Sequence, residues 1–159
     1  MRPGPPTIPA MLPDRRALEN LVARYAELID AGDVEGYARL FARAVIRTDR
    51  NPDGYVGADG VAAMVRRFVT MYDGRPSTKH VVTNIAVDVA EDRTRATARS
   101  YFTVYQARPE LPLQVVIAGR YFDTFARDDD GWYFTERRIT ADLVGDLRYH
   151  VPQLIEPAG

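Results

Sequence analysis

The chain has 159 residues, 46% apolar and 27% charged, with 21 basic and 22 acidic residues for a formal net charge of −1. That length suits one domain with a real core, and the balanced charge gives no electrostatic footprint for nucleic acid or an anionic membrane. Cysteine is absent, which excludes disulfides, thiol catalysis and thiolate metal sites; with His80 and His150 the only histidines, no histidine-rich metal site is expected within one chain.

The first 13 residues hold five prolines and lack the apolar core of a secretory signal, so they read as a flexible leader. No apolar run reaches the 18 residues of a membrane span, and a cytoplasmic protein is the default. A single domain is expected over 14–150, followed by a tail over 151–159. Asp14 is a candidate N-cap for a helix with the apolar stripe Leu18, Leu21, Val22, Tyr25, Leu28 and Ile29, stopped by Gly32. Asp33 then caps a second helix that turns Val34, Tyr37, Leu40 and Phe41 inward. A short strand over 44–49 leads into a turn-rich stretch at Asn51, Pro52, Asp53 and Gly54. A third helix follows from about Asp59, carrying Val61, Met64, Val65, Phe68 and Tyr72, and is closed by Asp73, Gly74 and Pro76.

The rest reads as strands: 80–89, a tight turn at 91–93, 95–106, a loop with Pro109 and Pro112, 113–126, a hairpin turn at 128–131, and 132–143. In the second of these strands Arg99, Tyr101, Thr103 and Tyr105 share one face, and Ser100, Phe102 and Val104 the other. Three helices followed by a meander predict an α+β fold, a curved antiparallel sheet wrapped as a cone around the helices with a ligand pocket between the layers.

Several residues could carry chemistry. Asp30 sits in the last turn of the first helix, where the macrodipole disfavours an anion; with burial, that predicts a raised pKa. His80 opens a strand among apolar neighbours and is of the residue type that titrates near neutral pH. Arg137, placed on one strand face with Tyr133, Thr135 and Ile139, is either paired within the sheet or free to meet an anion or a developing oxyanion. Tyr25 and Tyr101, both read as inward, are core aromatics or donors to a substrate oxygen. Taken singly, each residue also fits a plain structural role.

Four segments give these residues a common context: ARYAELIDAGD at 23–33, TKHVVTN at 78–84, GRYFD at 119–123 and GWYFTERR at 131–138. Over about residues 14–146 the chain resembles the SnoaL-like branch of the nuclear-transport-factor-2-like superfamily, whose fold is a cystatin-like or ketosteroid-isomerase-like α+β barrel. The pattern is most similar to its lyase-type members, which include γ-hexachlorocyclohexane dehydrochlorinase, bile-acid 7α-dehydratase and scytalone dehydratase. The resemblance implies His80 as base, Asp30 as the residue that orients it, and Arg137 in the site. Tyr25 stands where the dehydrochlorinase has a lysine and the bile-acid dehydratase a tyrosine, which suits a leaving oxygen better than chloride.

An Asp–His pair is a sound general base, because the carboxylate fixes the imidazole tautomer and stabilises the imidazolium. The implied activity is cofactor-independent acid/base proton transfer on a small hydrophobic, oxygenated substrate. A dehydratase comes first, a polyketide-type cyclase or isomerase second, and a non-catalytic ligand carrier third. The expected site comprises His80, Asp30, Arg137 and Tyr25 as catalytic residues, with Tyr101, Arg99, Thr103, Tyr55 and Phe68 against the substrate. No metal or organic cofactor is expected, nor a nucleic-acid or membrane partner, but self-association as a dimer or trimer is.

Overall fold

The sheet is organised by a strict alternation in one strand. Across β4 (Arg95–Arg108) the residues Ala96, Ala98, Ser100, Phe102, Val104 and Gln106 are all buried, whereas Arg95, Thr97, Arg99, Tyr101 and Tyr105 between them are exposed. Such a period of two puts one face on a core and the other on solvent.

In this computed structural model residues 8–154 are described; the first seven residues of the expected leader and the last five of the tail lie outside them. Three helices, α1 (Ile8–Ala31), α2 (Val34–Leu40) and α3 (Gly57–Phe68), pack against a six-stranded sheet of β1 (Val45–Thr48), β2 (Asn51–Val56), β3 (Thr78–Val89), β4, β5 (Leu111–Asp128) and β6 (Gly131–Val144). The spatial order is β2-β1-β6-β5-β4-β3. The expected meander is present as β3 to β6, paired antiparallel throughout. The expected α+β fold, three helices on a curved sheet, is present; the sheet is unclosed, and it is mixed rather than wholly antiparallel because β1 runs parallel to β6, pairing Ile46 with Arg137. Local alternation cannot report the direction of a neighbour that lies ninety positions away in sequence.

Other expectations shift for physical reasons. The first helix begins at Ile8, not after Asp14, with Pro13 inside it. Asp14 caps nothing; its buried carboxylate accepts hydrogen bonds from Arg93 Nε (2.6 Å), Arg127 Nη1 (2.8 Å) and Trp132 Nε1 (3.2 Å). These bonds, Arg93's first, hold it below the ordinary carboxylate range. The stretch Asn51–Gly54 is strand β2 rather than loop, since the reversal falls at Asp49 and Arg50. A bulge where β5 meets β6 at Thr124 and Phe125 moves Thr135 to the outer face, hydrogen-bonded to Thr124. Arg137 therefore shares the inner surface with buried Phe134, not with Tyr133 and Thr135.

Two devices hold the site's elements in place. Gly32 ends α1 at φ +77°, and Asp33 N donates back to Leu28 O at 3.0 Å; Asp33 then caps α2 by accepting from Gly36 N at 2.8 Å. After β6 the chain returns over the helices and buries Leu147, His150 and Val151. Tyr72 Oη and Gln106 Nε2 both donate to Tyr149 O at 2.8 Å, and Thr70 N donates to His150 O at 2.9 Å. A β-carbon at Gly32 would stand 1.8 Å from Gly74 O. Gly32→Ala therefore adds that clash to the usual cost of a left-handed alanine, and urea denaturation should show a loss of at least about 1–2 kcal/mol.

Candidate active site

The end of α1 meets the start of β3 through one carboxylate. Asp30 Oδ1 accepts from Thr78 Oγ1 at 2.8 Å and pairs with His80 Nδ1 at 2.7 Å, while Oδ2 accepts from the His80 backbone N at 2.8 Å. Thr78 and His80 sit opposite Gln106 and Val104 of β4 on the inner face; both Asp30 and His80 side chains are less than a tenth exposed. Burial opposes ionisation of Asp30, but the hydrogen bond and charge of His80, its backbone N–H and Thr78 outweigh it, so the carboxyl lies below its ordinary range. The raised pKa expected from the helix dipole does not survive these donors. When the ring is neutral, an ionised Asp30 accepts from Nδ1–H and the lone pair lies on His80 Nε2.

Tyr25 reaches the same place from α1. Its ring stands edge-on to His80, with centroids 5.9 Å apart, and edge-on to Tyr121 at 5.3 Å, and the hydroxyls of Tyr25 and Tyr121 are hydrogen-bonded to each other. Burial pushes both phenols well up, and Tyr37 beside them up to about 12, so all three keep their protons. A mutually bonded hydroxyl pair uses one of its two O–H groups and leaves one to donate.

Arg137 is fully buried and paired within the sheet. Its Nε and Nη2 grip Asp123 Oδ1 and Oδ2 at 2.7 and 2.8 Å, and its guanidinium carbon lies 4.2 Å from the Tyr25 ring centroid and 4.1 Å from that of Tyr121. Nη1 alone has no partner among the described residues. The structure thus favours the paired reading of this arginine, as a support beneath Tyr25 and Tyr121.

The expected substrate-lining set is not brought together. Tyr101, Arg99 and Thr103 point to the outer face, Tyr101 being 53% exposed, because their even-numbered neighbours face the helices. Arg99 instead lines a polar groove of about 710 Å³ there with Arg120, Phe122 and Glu136. Tyr55 and Phe68 stack edge-on at 6.3 Å between β2 and α3. Asp30 and His80 line a different groove, of about 530 Å³, with Ala23, Ala26, Val82 and Ile85 and the charged Glu27, Arg75 and Lys79. Among the described residues no cluster of His, Asp and Glu could hold a metal ion.

Sequence reasoning missed Thr78, Tyr121, Asp123 and His150. The first three stand inside segments already singled out, Thr78 two residues before His80 and Tyr121 and Asp123 within GRYFD at 119–123. His150 lies past the last regular strand, where no periodicity marks an inward residue. Its ring is edge-on to His80 at 5.9 Å, and burial, followed by the charge of His80, lowers its pKa to about 3.

The profile of the SnoaL-like domain matches residues 10–138. No curated protein matches the sequence. Three solved structures from Novosphingobium aromaticivorans are similar. A nuclear-transport-factor-2-like protein with a cystatin-like fold is 22% identical, with 93% of this chain and 92% of that one covered at a TM-score of 0.70. A protein provisionally assigned as a scytalone dehydratase is 25% identical, with 88% and 91% covered at 0.71. One provisionally assigned as an aromatic ring hydroxylase is 25% identical, with 87% and 96% covered at 0.68.

Two stability measurements check these electrostatics. Arg137→Ala strands Asp123 in the interior, and chemical denaturation should show about 3–5 kcal/mol lost, whereas Arg137→Met with Asp123→Leu recovers much of it. His150 is charged in the unfolded chain below about pH 6.5 and stays neutral in the fold down to about 3, so the unfolded state gains protons first. Its contribution is present above pH 6.5 and drains away as pH falls towards 3, by at most about 1.4 kcal/mol per unit. His150→Phe should flatten that slope between pH 6.5 and 4.5.

Proposed function

The chain belongs to the SnoaL-like domain family, and on that footing we propose that it is a cofactor-independent enzyme moving protons on a small hydrophobic, oxygenated substrate, acting as a dehydratase-type lyase. The observation that carries this reading is the Asp30–His80 pair, braced by Thr78, beside a groove in which Ala23, Ala26, Val82 and Ile85 are joined by Glu27, Arg75 and Lys79. His80 Nε2 takes a proton from the carbon next to a carbonyl as that C–H bond breaks. Asp30 stabilises the imidazolium, and the free hydroxyl hydrogen of the Tyr25–Tyr121 pair meets charge on the carbonyl oxygen. As the C=C bond forms, the C–O bond to the leaving hydroxyl breaks; its oxygen takes the proton back from His80 and departs as water. Arg137 serves as a positioning residue for both tyrosines.

A cyclase or isomerase would use the same first step, removal of a proton next to a carbonyl. Exchange in D₂O separates chemistry from carriage, because every one of these reactions begins by removing an acidic C–H proton. With 2-tetralone as probe, the protein should speed loss of the α-proton NMR signal. His80→Ala should lower that rate by about 10²–10⁴, and Asp30→Asn should lower it with the fold retained. An unaccelerated exchange would sink proton transfer and leave a non-catalytic ligand-binding protein.

We also infer that a second copy covers the outer face of the sheet. The row Val81, Thr103, Ala118 and Leu143 crosses four strands there, flanked by Tyr101, Tyr105, Val115 and Phe122, each at least 38% exposed. Light scattering at micromolar concentration should give a dimer or trimer; a clean monomer refutes this.

A further inference from the structure

We propose that His150 is a second catalytic imidazole of this site, whose ring N–H holds the oxygen of an enol-like substrate opposite His80. The proposal rests on the reading of His80 as the base, and assigns a residue from the chain's returning C-terminal segment to the same reaction.

The geometry comes first. The two histidine rings are 5.9 Å apart and inclined at 71°. His80 turns Nδ1 to Asp30, so its other nitrogen is directed away from that carboxylate. The His150 ring is 5% exposed, and its Nδ1 is buried with no partner among the described residues. Gln106 Oε1, on the same inner surface, also has no partner among the described residues, while its Nε2 donates to Pro76 O and Tyr149 O. Burying an unpaired polar atom costs about 1–3 kcal/mol, and a site that needed only apolar filling would be better served by Leu or Phe.

The backbone around the ring is pinned as a binding residue requires. His150 N donates to Leu147 O at 3.0 Å, and its carbonyl accepts from Thr70 N at 2.9 Å. The charged groups that act on the ring are His80 from β3 and Asp30 from α1. A ring that resists protonation keeps one N–H and one lone pair, so it does not compete with His80 as base. It donates a hydrogen bond, strengthened as negative charge gathers on the substrate oxygen, and retains its own proton throughout. No bond to His150 forms or breaks.

The chain's two histidines make the test direct, because nitrogen-15 NMR of the imidazoles resolves both. The probe is 2-naphthol, a planar analogue of the enol of 2-tetralone. Both rings should shift with one saturation curve. His150→Phe should raise the dissociation constant at least tenfold and slow tetralone exchange. His150→Asn, whose amide can present N–H near the position of Nδ1, should stay within about threefold. Shifts at His80 alone, or unchanged binding in His150→Phe, overturn the role of His150 and leave the Asp30–His80 base standing. Shifts at His150 alone overturn the base reading and, with it, the opposed arrangement proposed here. No shift at either ring at millimolar probe overturns the proposal. Should the phenylalanine variant fail to fold by circular dichroism, the wild-type shifts and the asparagine variant decide.

Discussion

The carboxylate of Asp30 is the joint on which the rest of the site turns. An anion in the last turn of a helix works against the helix dipole, and burial adds to the penalty. The chain meets both costs with donors from one strand: a hydroxyl at Thr78, a backbone N–H at His80 and the His80 ring. Because two of these bonds go to His80 itself, the carboxylate fixes where β3 begins relative to α1 and which imidazole nitrogen carries the proton. Gly32, two residues on, must then turn the chain at once; its contact with Gly74 leaves no room for a side chain. Helix end, strand start and tautomer are one constraint.

A second constraint lies beneath it. Arg137 and Asp123 face each other across β5 and β6 with no water-facing surface to speak of, an arrangement that contributes little net stability but is costly to break on one side. The faces of Tyr25, Tyr121, Phe41 and Phe134 wrap the guanidinium. The pair therefore sets the planes of the two tyrosines whose hydroxyls bond each other. Phe102 stacks on Tyr121 from the opposite strand, with centroids 4.5 Å apart, so the phenols have little freedom to turn away.

What was legible in the sequence follows from range. The helices announced themselves through 3.6-residue stripes and the Gly32–Asp33 stop and cap, and the four long strands through alternation, because those signals are local. Asp30 and His80 were readable because each sits in a recognisable segment, and their meeting was an inference from resemblance that the hydrogen bonds then describe. Tyr101 was placed on the wrong face because β4 buries Ser100 and Gln106 and exposes tyrosines, so polarity did not distinguish inside from outside. Arg137's partner was invisible for a different reason: a bulge shifts the register between Phe134 and Glu136, and a shift of one residue exchanges faces. The parallel pairing of β1 with β6 and the inward turn of His150 depend on chain segments that carry no periodicity.

The electrostatics of the cluster hold most of its groups in one protonation state. Burial drives Tyr25, Tyr37 and Tyr121 upward, so they remain donors. Asp123 outweighs burial and keeps Arg137 charged. Asp30 is held ionised by its donors, and His150 is held neutral by its surroundings. Each of these groups is fixed in one state across the neutral range, and together they supply orientation and hydrogen bonds rather than proton exchange. In the proposed reaction the base is then the imidazole that Asp30 orients. Under the proposed reading, such a site separates the group that reacts from the groups that hold, with side chains from α1, α2, three strands and the returning C-terminal segment.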